Sequence, residues 1–115
     1  MRLRADFWVS AYIRRCAVDG VHAVLRRRGA AEAGAIFIKV DRLDGSACLY
    51  GPAPQALVED GRGDRLFVPM TAPDATPLDA EDRLRKEMAF DPDLWIVEVE
   101  DRQGRSFLDL AAADR

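Results

Sequence analysis

The chain has 115 residues, of which 49% are hydrophobic and 32% are charged. This composition is typical of one folded domain with a single core and excludes a disordered chain. No apolar stretch approaches the roughly 20 residues that a membrane-spanning helix needs, and we expect neither a membrane segment nor a secretion signal. The two cysteines, Cys16 and Cys48, match neither a disulfide framework nor a zinc site, so we expect a cytoplasmic protein with two buried thiols.

Charge is distributed unevenly along the chain. The formal net charge is −3, yet the first 28 residues contain seven arginines and only two aspartates. The positive segment ends in the run Arg26, Arg27 and Arg28, whereas residues 90–101 contain acidic residues and no basic one. The overall acidity, and the lack of a zinc-finger, basic-zipper or paired-aromatic motif, argue against nucleic-acid binding.

A helix is predicted over residues 6–18, where the apolar residues follow a period of 3.6. Asp6 is its predicted N-cap, and Gly20 stands just beyond its end. The arc expected to face the core carries Trp8, Val9, Tyr12, Ile13 and Cys16. We expect Trp8 and Tyr12 to contact Trp95 there.

The opposite side of this helix is less polar than a solvated face should be. Apolar side chains on the outer face of a helix indicate contact with a partner or with a second copy. The predicted partner-contact residues are Phe7, Ala11 and Val18.

After residue 20 the hydrophobic period changes to two, which predicts strands. Asp44 and Gly45 favour a tight hairpin turn. We expect an antiparallel meander of three strands, with a flexible loop at 29–34 joining the first two. The strands are predicted at residues 22–28, 35–41 and 46–50.

The second half of the chain contains one more helix and further strands. Thr76 is the predicted N-cap of the helix, with Pro77 at its first position. Alternation in the strand that follows predicts that Trp95, Val97 and Val99 share one face. The predicted segments are a polar loop at 55–64, a strand at 65–70, a helix at 78–89, a strand at 94–100, an edge strand at 106–110 and a frayed tail from about 111.

These segments predict one α+β domain spanning residues 1–115. Its sheet is mainly antiparallel and has about five strands, with the N-terminal helix packed on one face and the second helix flanking it.

The arginine run is the candidate binding site, because adjacent guanidinium groups bind phosphates bidentately and glycine-flanked loops can direct backbone N–H groups at an anion. Strand alternation is expected to place Arg26 and Arg28 on one face and Arg27 on the other. The alternative is that the arginines pair with Glu98, Glu100 or Glu32 across the sheet. The predicted ligand-binding residues are Arg14, Arg15, Arg26, Arg27, Arg28 and Glu32.

Three functions are compatible with these features. The first is a non-catalytic binding or adaptor module that contacts an acidic or phosphorylated partner through the arginines. The second is a small enzyme acting on a phosphorylated or carboxylated metabolite, with Asp91, Asp93 or Glu32 as acid or base. The third is a structural homodimer. No cofactor or metal is expected, because catalytic motifs are absent and the spacing of Asp91 and Asp93 is not that of a calcium loop.

The chain as a whole resembles a small bacterial family of uncharacterised proteins of about this length, a domain of unknown function. The resemblance rests on residues 6–9, 26–37, 50–55 and 90–95 and on the glutamates that follow. It implies a bacterial, cytoplasmic setting and assigns no catalytic or ligand residue.

Overall fold

The computed structural model describes residues 3–54 and 65–111. These residues form two helices and one five-stranded sheet, which confirms the predicted α+β class. The predicted loop at 55–64, and the predicted tail beyond residue 111, lie outside the described residues. The elements are α1 Ala5–Val18, β1 His22–Arg27, β2 Ile36–Asp41, β3 Ala47–Pro52, β4 Phe67–Pro69, α2 Pro77–Phe90 and β5 Trp95–Glu100.

α1 packs the arc that its period predicts against the core, with Trp8 and Ile13 only partly buried. The helix ends before Gly20, whose φ is +71°. The prediction of Asp6 as N-cap is wrong, because the helix begins at Ala5. The backbone N–H of Ala5 donates to the carbonyl oxygen of Glu32 at 3.1 Å. The N–H of Asp6 donates to the carbonyl oxygen of Ala31 at 3.0 Å. The loop 29–34 therefore satisfies N–H groups that a side-chain cap would otherwise take.

The strands are ordered β1-β5-β2-β3-β4 across the sheet, with β5 and β2 parallel and the other neighbours antiparallel. The predicted hairpin of β2 and β3 is confirmed. The predicted meander is wrong, because β5 lies between β1 and β2. Its residues Trp95, Ile96 and Val97 are each at most 1% exposed, and only an inner strand is covered on both faces and both edges.

The sheet separates two cores. α1 covers one face together with Trp95, Val97 and Val99, as the alternation of β5 predicts. α2 packs against the other face, where Phe37 and Ile96 are buried. The second helix thus lies opposite the first, and the fold has three layers. Both cysteines are buried free thiols, as predicted.

α2 begins as its sequence predicts. The hydroxyl of Thr76 accepts from the N–H of Asp79 at 3.1 Å, and the carboxylate of Asp79 accepts from the N–H of Thr76 at 2.9 Å. This is a capping box, with Pro77 at the first helical position. The buried residues of α2 are Ala80 and Leu84.

The predicted edge strand at 106–110 is wrong. Within the described residues this segment makes one isolated parallel bridge, between Leu110 and Phe67. Phe107 has a φ of +55°, which is not a strand conformation. The segment is instead held to α1 by the hydroxyl of Tyr12, which donates to the carbonyl oxygen of Ser106 at 2.7 Å.

Candidate functional site

A β-bulge decides where the arginine run points. The register of β1 against β5 shifts near the end of β1, so that Arg27 and not Arg26 stands opposite Ile96. A bulge places two residues of one strand against one of its neighbour and interrupts the alternation of side chains. Arg26 contacts α2, whereas Arg28 lies over Trp95, a residue of the α1-side core. The expectation that Arg26 and Arg28 share a face is therefore wrong.

Arg26 is engaged by carboxylates. Its guanidinium donates to both carboxylate oxygens of Glu81, at 2.7 and 2.8 Å, and to Glu98 at 2.8 Å. The ammonium of Lys39 also donates to Glu81, at 2.6 Å. These groups, with the hydrogen bond from Arg26 as the largest cause, lower the pKa of Glu81 from 4.5 to about 2 against the opposing effect of burial. The cross-sheet pairing with Glu98 is confirmed for Arg26, and Glu81 is a partner that the sequence did not indicate.

Arg27 binds the turn at 91–94. One of its Nη atoms donates to the carbonyl oxygen of Pro92 at 2.6 Å. Its Nε is buried and has no hydrogen-bond partner among the residues that the structure describes. This guanidinium therefore ties the segment before β5 to the end of β1.

Arg28 stands apart from the other two. Its side chain is exposed, and the Cζ atom lies 5.2 Å from the centroid of the Trp95 ring. The ring is itself fixed, because Nε1 of Trp95 donates to the carbonyl oxygen of Ala30 at 2.8 Å. Within residues 3–54 and 65–111, the guanidinium makes no ion pair and no hydrogen bond. A cation over an indole face is held electrostatically, and this contact leaves its N–H donors unused.

The loop 29–34 is packed closely against the start of β5. A Cβ atom on Gly29 would lie 2.2 Å from the carbonyl oxygen of Asp93, and one on Gly34 would lie 2.5 Å from the same atom. The N–H of Ala30 donates to that oxygen at 2.9 Å, and the N–H of Gly34 donates to Ala30 at 3.1 Å. Close approach, rather than the expected flexibility, explains these two glycines. The N–H groups of Ala30 and Gly34, which were expected to face an anion, therefore form hydrogen bonds within the protein.

Glu32 projects from this loop, with 80% of its side chain exposed. A carboxylate oxygen of Glu32 lies 3.7 Å from a guanidinium nitrogen of Arg4. Arg4 was not among the predicted ligand-binding residues. Arg4 also pairs with Asp6 at 3.2 Å. Glu32, Arg27 and Arg28 are thus brought to one end of the sheet, beside the first turn of α1.

Arg14 and Arg15 are separated from that group. They lie near the C-terminal end of α1, about 14 Å along the helix axis from the turn that binds the loop. Arg15 forms an ion pair with Asp19, and its Cζ atom lies 4.5 Å from the centroid of the Phe107 ring. Arg14 is exposed and makes no ion pair within the described part of the chain. The six predicted ligand-binding residues therefore do not form one site.

Comparison with known proteins identifies the family. The model described as "Protein of unknown function (DUF1491)" matches residues 3–109. The chain belongs to the DUF1491 family. This confirms the resemblance to a family of unknown function that the sequence motifs indicate. A search among curated proteins gave no significant match.

Three solved structures are similar to this DUF1491 protein. The crystal structure of a DUF1491 family protein from Caulobacter crescentus is 35% identical, with a TM-score of 0.79, over 97% of this chain and 100% of that one. An NMR structure from the same organism is 36% identical, with a TM-score of 0.78, over 97% and 99%. The solution structure of a protein from A. tumefaciens is 37% identical, with a TM-score of 0.83, over 100% and 99%. These relatives support the fold and assign no activity.

This DUF1491 protein also has a groove of about 210 Å³ beside α1. Trp8 stacks on Tyr12 there with centroids 5.1 Å apart, and its next ring neighbour is Phe67 at 5.3 Å rather than the expected Trp95. Trp95 lies in the same core. The groove was not predicted, because residues distant in sequence form its walls. It is lined by Trp8, Ala11, Tyr12, Arg15, Arg65, Phe107 and Asp109.

The outer face of α1 is exposed as its composition indicates. Phe7 is 56% exposed and Val18 is 81% exposed, and Ala11 between them is also exposed. The guanidinium of Arg4 lies 5.1 Å from the Phe7 ring. Contact of this face with a partner stays a prediction.

The carboxyl groups with a clearly shifted pKa among the described residues all have a lowered pKa, so none of these four has the raised pKa that suits a carboxylic general acid near neutral pH. They are Asp6, Asp44, Glu81 and Asp101. Burial raises the pKa of the Cys16 thiol, which disfavours a thiolate nucleophile. Residues 3–54 and 65–111 hold no group of three metal-ligating side chains. Neither helix in these ranges is long and apolar enough to cross a bilayer.

Proposed function

We propose that this protein is a non-catalytic binding or adaptor module of the cytoplasm that contacts an acidic or phosphorylated partner through the Arg28 surface. This surface comprises Arg27, Arg28 and Glu32 beside the loop 29–34. The proposal is carried by one observation. The exposed guanidinium of Arg28 is held over Trp95 and has no carboxylate partner in the described ranges.

The chemistry of a guanidinium makes this arrangement suited to an anion. Its planar array of N–H donors matches a carboxylate or phosphate bidentately. Because Trp95 already holds Arg28 in place, binding would restrict few additional rotamers. The net charge of −3 opposes long polyanions, and Arg26 adds no free charge. A partner with a few acidic groups therefore fits better than a nucleic acid.

The two tryptophans of the chain provide the test. Trp95 lies under Arg28, whereas Trp8 lines the groove beside α1. Acetate and inorganic phosphate would be titrated separately at constant ionic strength, while the two indole N–H signals are followed by ¹H–¹⁵N NMR. We expect the Trp95 signal and the backbone signals of loop 29–34 to shift, with little change at Trp8.

The variant Arg28→Gln should abolish these shifts. Arg14→Gln is the matched control, because Arg14 is also exposed and unpaired among the described residues but lies at the far end of α1. It should leave the shifts unchanged. If the largest shifts occur near Arg14 or Trp8, or if Arg28→Gln behaves as the wild type, the proposal is wrong.

A homodimer is a second candidate, favoured by the exposure of Phe7 and Val18 on one helix. Two copies of this face would bury apolar surface that α1 leaves in water. Sedimentation of the wild type and of Phe7→Glu tests this candidate. A dimer that the substitution converts to a monomer would support it, and a wild-type monomer at high concentration would exclude it.

A further inference from the structure

The two edges of the sheet differ in how well they are covered. β4, at one edge, has three residues, and its last residue, Pro69, has no N–H group. The segment 109–111 also covers this edge: the N–H of Phe67 donates to the carbonyl oxygen of Asp109, and the N–H of Ala111 donates to that of Phe67, both at 2.9 Å. β1, at the other edge, has six residues and no proline. Within residues 3–54 and 65–111, no segment pairs with its outer side.

The hydrogen bonds of β5 determine which backbone groups of β1 point outward. The N–H of Asp101, the residue after β5, donates to the carbonyl oxygen of Asp41 in β2 at 2.9 Å. Successive residues of a strand direct their backbone groups to opposite sides, so the odd-numbered residues of β5 face β2 and the even-numbered residues face β1.

The pairing of β1 with β5 follows from this alternation. Glu98 is an even-numbered residue of β5, and it therefore forms its backbone hydrogen bonds with Val24, the residue opposite it. The neighbouring residues Ala23 and Leu25 direct their N–H and C=O groups to the outer edge instead. Among the described residues, these outward groups have no hydrogen-bond partner.

The outer edge of β1 also carries exposed apolar side chains. Val24 is 40% exposed and Leu25 is 39% exposed. Soluble proteins commonly protect a sheet edge with lysine, proline or a covering segment, and an edge without them pairs readily with another strand. Residues 22–25 contain neither lysine nor proline. This edge is therefore suited to accept a further strand.

We infer that β1 is a self-association surface, and that its occupant is β1 of a second copy, paired antiparallel about a two-fold axis at Val24. In this register Ala23 of each copy stands opposite Leu25 of the other. Each such pair exchanges two N–H···O bonds, so the outward groups of both copies are all used. The two sheets join into one continuous sheet. This inference does not depend on the proposed function, and the contact differs from the homodimer through the outer face of α1.

Side chains and charge favour a second copy in this orientation. Val24 meets Val24 of the second copy at the axis, where side chains of a non-hydrogen-bonded pair lie close together. On the other face of the sheet, Leu25 meets Ala23. Antiparallel pairing places the arginine run 26–28 of one copy opposite residues 20–22 of the other, whereas parallel pairing would set the two runs side by side. The apolar positions thus meet, and the arginine runs stay apart.

The contact is small, which sets the conditions of the test. The β-bulge between Leu25 and Arg27 ends the regular part of the edge. Stable dimers bury about 1,200 Å² or more, and a contact of a few residues covers less than that. We therefore expect the two copies to associate at high protein concentration and to separate on dilution.

Amide hydrogen exchange of the wild type, followed by NMR over a concentration series, tests the inference together with sedimentation. The N–H groups of Ala23 and Leu25 should exchange rapidly in dilute protein. They should exchange about 10-fold more slowly where nine-tenths of the chains are dimeric, because only the separated copies expose them. The N–H of Val24 faces β5 and is the internal control, whose exchange should not change. A monomer at the highest concentration, or exchange at Ala23 and Leu25 that does not depend on concentration, would overturn the inference.

The variant Val24→Lys places two ammonium groups against each other at the axis. It should raise the dimer Kd at least about 5-fold, since like charges directly opposite each other are destabilising. Within one chain the new ammonium stands opposite Glu98, so thermal unfolding of the dilute variant should match the wild type. Leu43→Lys is the matched control. It introduces the same charge at a leucine that is 44% exposed in the turn between β2 and β3, and it should change the Kd less than about 2-fold.

Charge reversal locates the axis. An equal mixture of Val24→Lys and Val24→Glu should associate more tightly than either variant alone, because opposite charges then meet at the axis. Association of Val24→Lys equal to that of the wild type would refute the contact. The same conclusion would follow if Phe7→Glu dissociated the dimer while the exchange of Ala23 and Leu25 stayed independent of concentration. Arg28→Gln should leave the dimer Kd unchanged, so failure of this inference leaves the proposed function standing.

Discussion

Arg26 and Arg28 are two positions apart in the sequence and have opposite environments. Arg26 lies between α2 and the sheet, where Glu81 and Glu98 neutralise it. Arg28 lies at the other side of the sheet over Trp95, with no carboxylate partner in the ranges described. Arg26 therefore connects a helix to the sheet, whereas Arg28 makes no ion pair and no hydrogen bond among the described residues. Three consecutive arginines in a sequence therefore do not establish a positively charged surface, because each side chain can have a different partner in the fold.

The largest expected effect on stability comes from a substitution in the loop 29–34, which follows Arg28 in the chain. Gly29→Ala would place a Cβ atom 2.2 Å from the carbonyl oxygen of Asp93. The backbone must move apart, and we expect a loss of roughly 3 kcal/mol in the free energy of unfolding. Urea denaturation measures this loss.

Ala33→Ser is the control for that substitution, since Ala33 is an exposed residue of the same loop. It should change the free energy of unfolding by less than about 0.5 kcal/mol. Equal stability of Gly29→Ala and the wild type would show that the loop is not closely packed.

The Arg26 side is disturbed by Glu81→Gln. This substitution leaves Lys39 without its carboxylate and Arg26 with only Glu98, and we expect it to cost about 1–2 kcal/mol at neutral pH. The pKa of Glu81 is lowered on folding from 4.5 to about 2. The stabilisation is therefore complete above pH 4.5 and is lost as the pH falls towards 2.

Urea denaturation between pH 3 and pH 7 should show a weaker pH dependence for Glu81→Gln than for the wild type. Part of the dependence should remain, because Arg105 also lowers the pKa of Asp101 to about 2. Identical slopes in the two proteins would mean that the Arg26 pairs do not stabilise the fold.

The smallest expected effect on stability is that of Arg28→Gln. The contact of an exposed arginine with an indole ring contributes about 0.5–1 kcal/mol. Arg26→Gln should cost more, about 1–2 kcal/mol, because it leaves Glu81 and Glu98 without their shared partner. Thermal unfolding midpoints compare the two variants. A larger loss for Arg28→Gln would indicate that Arg28 is structural and would reverse the comparison.

Features set by local sequence could be predicted. The period of α1, the capping box at Thr76 and the hairpin of β2 and β3 depend on residues within a few positions of one another. The turn of the hairpin spans residues 42–46, with a positive φ at Leu43 and Gly45 rather than at Asp44. The two faces of β5 follow in the same way from alternation. Each of these predictions needed no knowledge of what lies next to the segment in space.

Features set by distant neighbours could not be predicted. β5 lies between β1 and β2 because its apolar residues must be buried on both faces of the sheet. The predicted meander, in which β1 would pair with β2, is therefore not formed. The bulge at Arg26 exists only relative to β5. The uncovered outer edge of β1 was not predicted either, because the order of the strands is visible only in the fold.

The most direct test compares the guanidinium signals of Arg26 and Arg28 in one sample. Nε–Hε resonances would be assigned from Arg26→Gln and Arg28→Gln and followed by ¹H–¹⁵N NMR during an acetate titration at constant ionic strength. The Arg28 signal should shift with saturation while the Arg26 signal, held by Glu81 and Glu98, stays in place. A shift at Arg26 with none at Arg28 would contradict the assignment of the two arginines.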